Sequence, residues 1–377
     1  MNELNKPLGL PYDRKPHRRG LPYALVGGIA LVAIAAGAIG WFAFPRLSGP
    51  TATAVINAPG DGPSIALERT GTTVADTAAK PADDGLVEIE PTGSLTEIDQ
   101  VVIHDPANPP PIQLAALPDE SLVEATADGL LPRVSDSGLR PLDAYARPSD
   151  VDSRDPRIAI VVGGVGIDPE GTQNAIASLP GPITLAFAPY GDNLDRAVAA
   201  ARNSGHEILL QVPLEPFNYP ATDPGPNTLT AKASAEENIE RLRWFFGRLT
   251  NYVGVINYMG ARFTGETDAM APVMEEIGSR GLLYVDDGSS ARSQAAAVAG
   301  STVPFLRADL VLDGDLSAAA IDARLRQLQA IARDRGYALA TATAFPVSIE
   351  RIAAFVRAAE SRGIDIVPVS ALVGPRS

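Results

Sequence analysis

The 377-residue chain has no cysteine and only three histidines, His17, His104 and His206. The first absence excludes a disulfide framework, a thiolate metal site and a cysteine nucleophile. The second leaves too few imidazoles for a histidine-rich metal centre. Positive charge is also scarce, with 31 Lys and Arg against 45 Asp and Glu and a formal charge of -14. Nucleic-acid binding needs a basic footprint to displace phosphate counterions, so this balance argues against it. The acidity is concentrated in one stretch. Residues 47–152 hold eighteen acidic and five basic residues, whereas residues 154–377 hold 25 and 20.

What is present falls into four parts. Residues 1–23 form a basic tail containing Lys6, Arg14, Lys15, Arg18 and Arg19, and residues 24–44 run for 21 positions without a charge. That length matches the ~20 residues a helix needs to cross a bilayer. The basic flank favours a cytoplasmic N-terminus, which puts the remainder outside the inner membrane, in the periplasm. A cleaved signal peptide is the alternative, with Ala52-Thr53-Ala54 as its small-residue stretch, but a signal's apolar core is normally about 7–15 residues. Residues 45–153 are acidic, rich in proline and alanine, and poor in aromatics. Such a composition buries too little apolar surface to offset the entropy of ordering, and predicts a disordered spacer.

From residue 154 the pattern changes to short apolar runs separated by helical periodicity. Buried strands are predicted at 157–162, 183–188, 207–212, 252–256, 282–285, 303–307, 337–341 and 364–367. Helices are predicted most clearly at 192–203, 235–248, 268–279, 317–335 and 348–362, with Gly205, Gly281, Gly336 and Gly363 placed as left-handed caps. This α/β alternation predicts a distorted (β/α) barrel of about seven units; an open doubly wound sheet is the alternative. In such a barrel the site lies beyond the C-terminal ends of the strands. Those positions carry Gly163, Gly164, Pro189, Tyr190, Gln211, Glu215, Asn257, Tyr258, Arg262, Asp286, Asp287, Asp309, Asp313, Thr341 and Thr343. His206 precedes its strand and so falls at the opposite end, where a structural hydrogen-bonding role is expected.

Several blocks at these strand ends resemble one family. They are Ile-Ala-Ile-Val-Val-Gly-Gly-Val-Gly at 158–166, Leu-Pro at 179–180 with Thr-Leu-Ala-Phe-Ala-Pro at 184–189, Gly-His-Glu-Ile-Leu-Leu-Gln-Val-Pro-Leu-Glu-Pro at 205–216, Asn-Tyr-Met-Gly-Ala-Arg-Phe-Thr at 257–264 and Tyr-Val-Asp-Asp at 284–287. In this order they resemble the divergent polysaccharide deacetylases, a remote branch of the carbohydrate esterase family 4 fold. The resemblance implies a metal-dependent hydrolase on a distorted barrel. It also shows where this chain departs. The family ends its first strand in two adjacent aspartates, one a metal ligand and one a base, where Gly163 and Gly164 stand here. Its two histidines are replaced by Gln211 and Tyr258.

The expectation is therefore no cofactor and no tight zinc, with Asp286, Asp287 and Glu215 as the remaining catalytic candidates. Gln211, Glu215, Asn257, Tyr258, Arg262, Asp286 and Asp287 are the candidate substrate-binding set. Each has a plainer role available: an aspartate at a strand end can start a turn, Arg262 can pair with Glu266, and aromatics can be core. The segment 223–227, Asp-Pro-Gly-Pro-Asn, reads as a turn-rich loop or lid. Three functions stay open: a deacetylase-like module binding an envelope glycan or a cell-wall protein, a carbohydrate hydrolase with a metal-independent or oxygen-ligated site, and a scaffold of the cell-wall machinery.

Overall fold

A computed structural model describes residues 112–149 and 154–373. Residues 24–44, the candidate membrane span, lie outside them, and no helix among the described residues is long and apolar enough to cross a membrane. Eleven strands are present among those residues: β1 (Val123–Thr126), β2 (Gly129–Pro132), β3 (Arg157–Val165), β4 (Thr184–Phe187), β5 (Ile208–Leu214), β6 (Gly254–Met259), β7 (Leu283–Asp286), β8 (Phe305–Arg307), β9 (Leu310–Val311), β10 (Tyr337–Thr343) and β11 (Asp365–Ile366). β3 to β11 form a curled parallel sheet in the order β8-β7-β6-β5-β4-β3-β10-β9, and β11 pairs with the start of β3. Helices Pro169–Ser178, Leu194–Asn203, Ala235–Phe246, Thr267–Ser279, Ala318–Arg335 and Pro346–Arg357 follow the strands and cover the outside.

The alternation of side chains along each strand explains the curl. One set of alternate residues, including Ile158, Ile160, Leu210 and Tyr284, packs with Val198, Phe245, Ile277, Leu325 and Ile352 of the helices. The other set, including Ala159, Val161, Leu209, Leu283, Val285 and Leu339, forms a second buried cluster inside the curl. Strands buried on both faces read as continuous apolar runs, which is why their positions are legible in the sequence. The four glycines predicted as caps all have positive φ, from 62° to 87°. At Gly336 the left-handed turn lets its N–H bond the Ala332 carbonyl and ends the longest helix before β10. Side chains with a Cβ reach that conformation only at a cost.

The expected spacer is corrected at its C-terminal end. Residues 112–149 fold against the N-terminal ends of the barrel strands, with β1 and β2 as an antiparallel hairpin and a short helix at Pro141–Ala144. Leu122, Leu142 and Tyr145 join the inner cluster and Leu131 the outer one, each almost fully buried. Arg202, 1% exposed, donates to the carbonyls of Ala115 and Tyr145 at 3.1 and 2.6 Å. Arg280 ties the hairpin down through Pro132 O and Glu124 at 2.7 and 2.8 Å. Glu207, fully buried, accepts from the backbone of Arg147 and Ser370 at 3.0 Å each, joining the segment to the C-terminal turn Val369–Leu372. The average composition of the spacer hides this because a few apolar residues at irregular spacing fill a base formed by distant strands.

His206 lies at this same end and is fully buried. Its ring nitrogens lie 2.8 and 3.3 Å from the carbonyls of Ile183 and Ile176, and burial lowers its pKa.

Candidate functional site

At the opposite end, the loops after the strands enclose a cleft of about 1090 Å³. Its floor is built from inward-facing strand residues. Gly163 at the end of β3 pairs in register with Thr343 of β10, and Gln211 of β5 reaches across to them. The Gln211 Oε1 accepts from Gly164 N–H at 2.8 Å. Its Nε2 lies so close over Gly163 that a Cβ added there would sit 2.7 Å from it. The glutamine amide thus occupies the space that a side chain at residue 163 would need. Gly164 has φ of +75°, a conformation that any L side chain strains to adopt.

The two adjacent aspartates point in opposite directions. Val285 belongs to the inner cluster and Tyr284 to the outer, so the alternation carries Asp287 inward and Asp286 outward. Asp287 lines the cleft. Its Oδ1 accepts from the Ser289 N–H and hydroxyl, its N–H donates to Asn257 Oδ1 at 3.0 Å, and burial holds its carboxyl above the ordinary value against those bonds. Asp286 is 1% exposed, accepts from Gly288 N–H at 2.9 Å, and has a buried second oxygen with no hydrogen-bond partner among the described residues. Of the pair, Asp287 alone lines the cleft.

Glu215 and Arg262 also stand apart from the cleft lining. The Glu215 carboxylate accepts from Ala231 N–H at 2.7 Å and faces Arg262 Nε at 3.4 Å. Its carbonyl accepts from the N–H groups of Arg262 and Phe263. Both residues clamp loops together, and Arg262 pairs with Glu215 rather than Glu266. Of the seven candidates, Gln211, Asn257, Tyr258 and Asp287 share the cleft, while Glu215, Arg262 and Asp286 do not line it.

Three further carboxylates do. Asp313, 9% exposed, accepts on Oδ2 from Thr343 N–H at 2.6 Å and the Ser348 hydroxyl at 2.9 Å. Asp168 caps helix Pro169–Ser178 by accepting from Gly171 N–H, and Glu170 sits in its first turn. Asp313 follows the strand-end rule. Asp168 and Glu170 were missed, although an aspartate-proline pair directly after the first strand marks a helix start in a site-forming loop. Asp309 instead serves the base, accepting from Arg335 and Leu339 N–H.

The rim is apolar and aromatic, with Ile167, Tyr258, Val311 and Phe345 exposed around the mouth. Tyr190 holds the 223–227 loop by donating to Pro226 O at 2.6 Å, and burial pushes its phenol pKa up. Pro224 from that loop lines the cleft. Among the described residues, no three His, Cys, Asp or Glu side chains converge as a metal-binding group.

A family model described as divergent polysaccharide deacetylase matches residues 160–373. The uncharacterized protein YibQ of Escherichia coli K12 is 26% identical over 194 residues, covering 51% of this chain and 60% of that relative. An uncharacterized protein of Haemophilus influenzae is 24% identical over 202 residues, 53% of this chain and 71% of its own. The crystal structure of an uncharacterized Agrobacterium tumefaciens C58 protein superposes with a TM-score of 0.64 at 50% identity, covering 65% of this chain and all of that one.

Proposed function

The chain belongs to the divergent polysaccharide deacetylase family, and on that premise we propose that it is a membrane-anchored envelope protein that binds a glycan without metal-assisted hydrolysis. The observation that carries this reading is the Gln211 amide lying over Gly163. Metal-assisted deacetylation requires a cation that polarises the acetyl carbonyl and lowers the pKa of its bound water. Zinc for that task takes nitrogen, sulfur or carboxylate ligands. The residues at the four positions where the family resemblance expects ligands do not fit it: Gly163 and Gly164 offer no side-chain donor, Gln211 offers a neutral amide already bonded to Gly164, and Tyr258 offers a phenol.

What remains suits recognition of a polyhydroxylated chain. The exposed rings of Tyr258 and Phe345 can stack on the apolar faces of sugars. Pro189, Pro213 and Pro216 make rigid walls, and Gln211, Thr343, Asp287 and Asp313 offer donors and acceptors to hydroxyl groups. Residues 24–44 would hold the chain in the inner membrane with the barrel outside.

Metal analysis of the purified chain, combined with binding and hydrolysis assays on envelope oligosaccharides, tests the proposal. Saturable binding with substoichiometric zinc is expected. Stoichiometric zinc that survives dialysis against a mild chelator, or deacetylation abolished by that chelator, refutes it in favour of a hydrolase. Absence of any glycan binding leaves the scaffold role.

A further inference from the structure

We infer that the cleft selects amino sugars, binding glycans with free ammonium groups in preference to N-acetylated or carboxylated ones; this rests on the glycan-binding reading above. The first observation is the sign of the lining. Asp168, Glu170, Asp287 and Asp313 line the cleft, and among the described residues no lysine, arginine or histidine does. The neighbouring arginines are engaged elsewhere, Arg248 on the Pro189 carbonyl and Arg262 on Glu215. A uronate would therefore meet only like charge. Nothing in the lining compensates a carboxylated ligand.

The second observation concerns atoms left open on a nearly closed floor. Asp313 and Gln211 are each 9% exposed. Asp313 uses only Oδ2 in its bonds to Thr343 and Ser348, and Gln211 uses only Oε1 in its bond to Gly164. The Asp313 Oδ1 and the Gln211 Nε2 have no hydrogen-bond partner among the described residues. One is an anionic acceptor and the other a neutral donor. They are brought together by β10, because Thr343 is bonded to Asp313 and in register with Gly163, which lies beneath the Gln211 amide. Two residues earlier on β10, the Thr341 hydroxyl lies 3.4 Å from the Asp287 backbone carbonyl, which places that residue's backbone beside the same strand, and Asp287 lines the same cleft.

An ammonium group meets this arrangement well. It donates three hydrogen bonds, and a carboxylate that has already lost most of its water gains from a cation more than an exposed one does. An adjacent sugar hydroxyl can accept from Gln211 Nε2. An acetamido group in the same place removes the positive charge and adds bulk. The elevated carboxyl pKa of Asp287, caused by burial, is in the direction that a bound cation would reverse.

The test uses the full chain purified in detergent, with calorimetric titration at physiological salt of glucosamine, N-acetylglucosamine and galacturonate oligosaccharides of equal length. Aspartate-to-asparagine changes at 287 and 313 and Glu170→Gln probe the cleft. Glu240→Gln, on an exposed helix surface, controls for general acidity. The exposed Glu170 side chain makes no hydrogen bond among the described residues, so its variant stays informative if an aspartate variant misfolds. The glucosamine oligomer should bind about tenfold tighter than the N-acetylated one, the value of one charge-assisted hydrogen bond. Cleft variants should shrink that preference and Glu240→Gln should not. Equal affinity for the two oligomers, or a preference unchanged by all three cleft variants, overturns the selectivity but leaves glycan binding standing. Absence of binding to any oligosaccharide overturns both.

Discussion

If the Gln211 amide has taken the space of a side chain at residue 163, the two positions must be energetically coupled. Gly163→Ala adds a Cβ 2.7 Å from Nε2 and 3.3 Å from Cδ, well inside van der Waals contact. The backbone at 163 is outside the left-handed region, so the substitution strains no φ. Its cost must come from the displaced amide. Moving that amide breaks the 2.8 Å bond to Gly164 N–H, worth about 1 kcal/mol, within the overall range of about 1–3 kcal/mol for overpacking. Gln211→Ala alone removes the same bond, again at about 1 kcal/mol. In the double variant the clash is gone and the bond is already lost, so adding alanine at 163 should cost almost nothing. The coupling then equals the cost of Gly163→Ala in the parent, about 1–3 kcal/mol, above the ~0.5 kcal/mol scatter of independent sites. Denaturant unfolding of the four proteins measures it, with melting shifts of about 2–4 °C per kcal/mol as a cross-check. Additivity within that scatter would refute the claim that one side chain fills the other's space.

A fragment beginning at residue 154 should be insoluble or melt far below one beginning at 112, because it exposes the barrel base and strips Arg202 of both carbonyl acceptors; Leu122, Leu131 and Leu142 alone contribute about 1.5–3 kcal/mol each. Equal melting points would restore the spacer reading. Glu207→Gln should change the pH dependence of stability: burial raises the carboxyl pKa in the folded state, so its favourable contribution is complete below the unfolded value of about 4.3 and is lost as pH rises through the folded value. The stability of the parent relative to the glutamine variant should therefore fall as pH rises from about 4, and a rising difference contradicts this. Asp286→Asn should leave glycan affinity unchanged while Asp287→Asn lowers it, since only Asp287 lines the cleft; matched losses in the titration would show that the pair acts as a unit.

The strands of the barrel were legible because they are buried on both faces and need only local apolar runs, and the glycine caps because a left-handed residue leaves a mark on the sequence itself. The expectation that Gly163, Gly164, Gln211 and Tyr258 stand at the family's usual ligand positions likewise rests on residue identity at the strand ends. The rest depended on direction and distance. Adjacent Asp286 and Asp287 look like a pair in the sequence, and only strand alternation sends one to the cleft and the other into the wall. Glu215 and Arg262 have the right chemistry at the right strand ends, yet the loop at 229–231 and the backbone at 262–263 claim them. Residues 112–149 have no period to read, because what orders them is a set of pits and carbonyl acceptors supplied by residues about 60 to 160 positions away. Local pattern determined which segments are strands and helices; which polar atoms remain free to meet a ligand was decided by contacts between segments that no local pattern contains.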